Sequence, residues 1–76
     1  MGKTDKYSLT DDEKAAIAAQ QVEQFKRERY AHELNAARAE TLPDGKEKAQ
    51  ILAVSQESIA QIEKAIDVTL DAAPAV

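Results

Sequence analysis

The chain has no cysteine, no tryptophan, one histidine, one phenylalanine, two glycines and two prolines in 76 residues. Each shortage removes a class of architecture or chemistry. Without cysteine there is no disulfide staple and no thiolate ligand, and one histidine cannot build a histidine zinc site. There is no glycine-rich phosphate loop, and no Ser–His pairing to activate a nucleophile. These absences predict no enzymatic activity, no metal, no cofactor and no small-molecule substrate. No stretch approaches the roughly 20 apolar residues of a membrane span. Met1–Ser8 lacks the apolar run of a secretory signal, and the expectation is a soluble intracellular protein.

A chain of this length makes one domain at most, and scaffolds this small usually need a staple. With disulfides and metals removed, association is the staple that remains. Positive charge is also scarce where it would matter for nucleic acid. The net charge is −4, from 10 basic and 14 acidic residues. Residues 40–76 hold three bases only, Lys46, Lys48 and Lys64, which argues against nucleic acid as the main partner.

What is abundant is Ala, Glu, Gln, Lys and aliphatic residues, the composition of long helices. Thr10-Asp11-Asp12-Glu13 reads as a capping box, with Thr10 and Glu13 exchanging side-chain-to-backbone hydrogen bonds. No Gly or Pro follows until Leu42-Pro43-Asp44-Gly45, which is turn chemistry. Asp44, with Glu47 three residues on, reads as a second capping box, and Pro74 closes the second helix. The fold predicted is all-α: an antiparallel two-helix hairpin with helices at about 11–41 and 45–71. It forms a single domain over 1–76, with a mobile arm at 1–8 and a short tail at 72–76.

The second helix carries the sharper stripe. Leu52, Ile59 and Ile66 recur every seven residues, with Ser55, Ile62 and Thr69 as companions, the pattern of a heptad seam. Ile51, Val54, Val68 and Leu70 widen the apolar surface beyond it. In the first helix Ala15, Ala18, Ala19, Val22, Phe25, Tyr30, Leu34 and Ala37 fall on a broad common side. Heptads do not fit across Arg29, and an eleven-residue spacing (Ala15, Lys26, Ala37) fits better, implying a nearly straight pairing. Two helices cannot sheathe all of these residues. The interface predicted therefore comprises Val22, Phe25, Arg29, Tyr30 and Leu34 on the first helix, with Leu52, Ile59, Ile62 and Ile66 on the second. The partner is either another copy or a larger protein.

Phe25-Lys26-Arg27-Glu28-Arg29-Tyr30 holds the ingredients of a nucleic-acid contact, three bases and two aromatics. On a helix these point in all directions, and Glu23, Glu28 and Glu33 interrupt the patch. Internal pairing is expected instead, Glu23 with Arg27 and Glu28 with a charged His32. His32 lacks the further ligands a metal would need.

Leu9-Thr10-Asp11-Asp12-Glu13-Lys14-Ala15-Ala16-Ile17-Ala18, with Tyr30-Ala31-His32-Glu33-Leu34-Asn35, resembles small helical-hairpin proteins encoded among the virion genes of tailed bacteriophages. The likeness spans residues 9–70. It implies a virion or assembly component, located in a virion or in the cytoplasm of a bacterial host, or a small protein that binds a host target. It carries over no functional residue. The expectation is a non-enzymatic interaction protein, structural or assembly-related. The alternatives are an inhibitor or adaptor that blocks a host protein and, third, nucleic-acid binding through Lys26–Arg29.

Overall fold

The structure is a computed structural model that describes residues 6–75. Most of the arm expected at 1–8, and Val76 of the tail, lie outside these residues. Two helices account for nearly all the rest: α1, Asp11–Ala39, and α2, Lys46–Ala72, packed antiparallel with no strand among the described residues. The hairpin expected from sequence is what forms.

The start of α1 follows its capping box. Thr10 Oγ1 accepts from the Glu13 N–H at 3.1 Å, and Glu13 Oε1 accepts from the Thr10 N–H at 2.8 Å. The box over Asp44 does not form. Gly45 is the N-cap of α2, and no side chain caps it. Asp44 instead accepts from Lys48 Nζ at 3.1 Å, and the same ammonium lies 3.4 Å from Glu40 on the far side of the turn. The competition is simple: a lysine one turn ahead offers Asp44 a full positive charge, whereas the helix end offers a backbone N–H. At the other side of the turn α1 stops two residues earlier than expected. Thr41 and Leu42 close it with i→i−3 bonds to Arg38 and Ala39, as a helix end tightens before a proline.

The burial pattern of α1 corrects the expectation of an eleven-residue spacing. Ala15, Ala18, Val22, Phe25, Arg29, His32, Ala36 and Ala39 are each buried or half-buried, at steps alternating three and four. This is an unbroken heptad seam running straight through Arg29. Sequence pattern alone treats Arg29 as a break because it is charged. In the fold its side chain is 36% exposed, and its guanidinium reaches the rim, so the stem fills a seam position while the charge leaves it. Ala19, Tyr30 and Ala37 are exposed and not part of this side.

On α2 the expected seam holds. Leu52, Ser55, Ile59, Ile62, Ile66 and Thr69 are all buried or half-buried, preceded by Lys48. The Arg29–Glu63 and Glu40–Lys48 bridges set the register and place Ser55 opposite the Ala36 turn of α1. Ala39 (2% exposed), Ser55 (4%) and Val22 (7%) are the residues buried fully enough to count as core. Small side chains at one end of the seam let the helices approach closely there.

The hairpin is a single layer, 65 × 19 × 15 Å. Its accessible surface is 6031 Å². A compact monomer of this mass would expose about 4,600 Å². No side chain of the described residues is completely buried, so the hairpin leaves much of its apolar surface in water.

Candidate interaction surface

Heptad geometry divides the hairpin into two broad faces on either side of the seam, and the two differ in chemistry. One face holds the ion pairs. Lys26 sits 3.5 Å from Glu23, Arg29 sits 3.3 Å from Glu33 and 2.8 Å from Glu63, and Lys48 ties Glu40 and Asp44. Among the described residues, Arg29 is the one cation that crosses from helix to helix along the body of the hairpin. Its Nε also donates to Glu63 at 2.9 Å. That donation, joined by the charge of Glu33 and opposed by partial desolvation, holds the guanidinium above its ordinary pKa. We call this the bridged face.

The other face has no ion pair among the described residues. On α2 it presents a second row parallel to the seam: Ile51, Val54, Ser58, Gln61, Ala65, Val68 and Ala72, again at steps of three and four. None of these is charged. Val54 is 57% exposed and Val68 61%. Beside them α1 contributes Ile17, Gln21, Gln24, Glu28, Ala31, Asn35, Arg38 and Leu42. Three shallow creases confirm that these rows lie on one side. One lies between Leu9, Ile17, Gln21 and Val68 with Pro74, one between Asn35, Arg38, Leu42 and Ile51, and one along Gln61, Ala65 and Val68. We call this the bare face.

The residues expected to form an interface fall into three places. Val22, Phe25, Arg29, Leu52, Ile59, Ile62 and Ile66 lie in the intramolecular seam, where α1 and α2 already cover them partly or wholly. Tyr30, 59% exposed, stands on the bridged face with Leu70. Leu34 lies one turn beyond Tyr30, on the back of α1, and is half-buried there. The stripe that was expected to be sticky is thus largely used in closing the hairpin, and the row next to it is what remains open. Only Ile51, Val54 and Val68 of that row announce themselves in sequence. Ser58, Gln61, Ala65 and Ala72 are unremarkable residue types whose shared row becomes visible once the seam is fixed.

The basic segment is largely neutralised, though not through the expected pairs. Glu23 meets Lys26 rather than Arg27, and Glu28 makes no pair with His32. Among the described residues no group of three His, Asp or Glu converges as metal ligands, and no helix is long and apolar enough to cross a membrane. Comparison with family models, curated proteins and solved structures finds no match to this chain.

Proposed function

We propose that this chain is a non-enzymatic interaction protein, a structural or assembly component of the phage-virion type, that works by docking its bare face. The observation that carries this reading is the segregation of the surface. The ion pairs occupy one side, while Ile17, Val54 and Val68 stand exposed on the other. Tyr30 and Leu70 are exposed too, but they stand singly among the ion pairs, whereas Ile51, Val54 and Val68 share a row with no charged residue. An uncharged row beside a charged side is what a docking part needs, because the charged side keeps the assembly in solution and sets orientation. The shallow creases are too open to shelter a reaction, which supports a binding rather than a catalytic role.

A photo-crosslinking residue at position 68 tests the reading against the same residue at position 53, on the α2 surface away from both the seam and the bare face. Adducts specific to position 68, with the chain recovered in assembled particles, support an assembly part. Adducts with one host protein, and no chain in particles, identify an inhibitor or adaptor instead. Equal labelling at both positions overturns docking through this face. The nucleic-acid alternative loses support because Lys26 and Arg29 are both engaged by glutamates.

A further inference from the structure

We infer that the partner of the bare face is a second copy of this chain, laid antiparallel across it to make a four-helix bundle with twofold symmetry. This rests on the docking role proposed above and specifies its occupant.

The first argument is the order of residues along the face. From Ile51 to Ala72 the α2 row runs apolar, apolar, small, polar, small, apolar, small, which approximates its own reverse about Gln61. The α1 row runs apolar at Ile17 and Leu42 and, apart from Ala31, polar or charged between them, with its middle near residues 28–31 and Gln21 mirrored by Arg38. A twofold axis requires a surface to match its own reverse. Laying one copy on another with Gln61 on the axis sets Val54 against the partner's Val68 and Ser58 against the partner's Ala65. The hairpin's own register then fixes α1: Ile17 meets the partner's Leu42 and Gln24 meets the partner's Asn35. Glu28 falls beside the partner's Ala31, so the one acid on the face avoids its own copy. Both helices reach their midpoints at the same level, near residues 29–30 on α1 and 61 on α2, as the Arg29–Glu63 bridge shows.

The second argument is charge. Glu57 and Lys64 flank the α2 row on its outer edge; Glu57 accepts from Gln61 Nε2 at 3.4 Å, and neither forms an ion pair among the described residues. The same antiparallel register brings Glu57 of one copy to Lys64 of the other, twice by symmetry. A parallel pairing about a twofold would instead lay α2 on the partner's α1 and leave Glu57 and Lys64 without these partners, so the rim selects direction.

The third is area. The row from residue 51 to 72 is about 32 Å long at 1.5 Å per residue. Across the 19 Å width of the hairpin this gives roughly 600 Å² per copy, or about 1,200 Å² in total, the lower limit for a specific interface. The dimer is therefore reversible and concentration-dependent.

Sedimentation equilibrium of the full chain, combined with cysteine crosslinking, tests this. The expected result is a monomer–dimer equilibrium that Val54→Glu with Val68→Glu weakens at least about a hundredfold, helicity being unchanged because neither residue is in the seam. Glu57→Lys alone and Lys64→Glu alone each weaken it by about tenfold at low salt, and the two together restore it. Gln61→Cys oxidises to a covalent dimer, because its copy stands across the axis, and Ala53→Cys does not. A chain that stays monomeric at every concentration overturns the second copy but leaves docking to a different protein intact. Dimers that ignore the charge swap, or that crosslink through Ala53→Cys, overturn this face. If position 68 shows no specific adducts with anything, the docking role itself falls.

Discussion

Arg29 of α1 and Glu63 of α2 share two contacts to a single carboxylate oxygen, from Nε at 2.9 Å and Nη2 at 2.8 Å. The arrangement puts a charged residue in a seam position without burying its charge. Surface bridges of this kind are weak and screened by salt. Glu63→Gln should lower the melting temperature slightly in dilute buffer, and the difference from wild type should vanish by about 0.5 M salt. Arg29→Leu, which fills the same heptad position with a hydrocarbon, should raise it. A raised guanidinium pKa gives stability that is present below the ordinary value and lost only as pH rises through the folded one. Both values lie far above working pH, so the Arg29–Glu63 bridge should add no arginine titration to the stability of the wild type or of Glu63→Gln there.

Val22 and Ala39 should respond to substitution in opposite senses of size. Val22→Ala removes buried methyls from the middle of the seam and should cost about 2 kcal/mol. Ala39→Leu forces a large side chain into a position only 2% exposed and should cost about 1–3 kcal/mol. Both are read from urea midpoints followed by helical circular dichroism. Val54→Ala, on the bare face, should change the midpoint of dilute protein by less than about 0.5 kcal/mol.

The two helix starts should also differ. Thr10→Ala breaks the capping box and should cost about 1 kcal/mol. Gly45→Ser supplies the cap that α2 lacks and reduces the freedom of the unfolded chain, and a Cβ there meets nothing within 4 Å. It should stabilise by about 0.5–1 kcal/mol in a thermal melt.

Asp71 lies in the last turn of α2, which holds no base. An acid there opposes the helix dipole. Asp71→Lys should raise stability by about 0.3–1 kcal/mol at low ionic strength, and less as salt is added.

Much of the fold is legible in the sequence because local signals agree. Thr10–Glu13 and Leu42–Gly45 mark a start and a turn that tertiary packing has no reason to override. The heptad of α2 is legible for the same reason: Leu52, Ile59, Ile62 and Ile66 are apolar in type and seam in position. The first helix is harder. Six of its eight seam positions are alanine, arginine or histidine with little or no apolar signal of their own, at Ala15, Ala18, Arg29, His32, Ala36 and Ala39. Tyr30 and Leu34 are apolar yet lie elsewhere, so they pull the apparent stripe off its axis. The cap of α2 is not legible because Asp44 has a competing partner in Lys48, which local rules do not weigh. The bare face is legible only in part, since a row of Ser, Gln and Ala has meaning as an absence of charge, and that absence matters only once its neighbours are placed.

The antiparallel course of α1 and α2 brings Thr10 and Ala73 out at the same pole of the rod, with the Pro43 turn at the other. A pull applied through these two points loads the seam one layer at a time, starting beside Ala15 and Thr69 and peeling toward the turn. The hairpin alone is mechanically a zipper and opens at low force. A copy laid antiparallel across its flank would set its own turn over this pole, so pairing would clamp the first layers that a pull has to open.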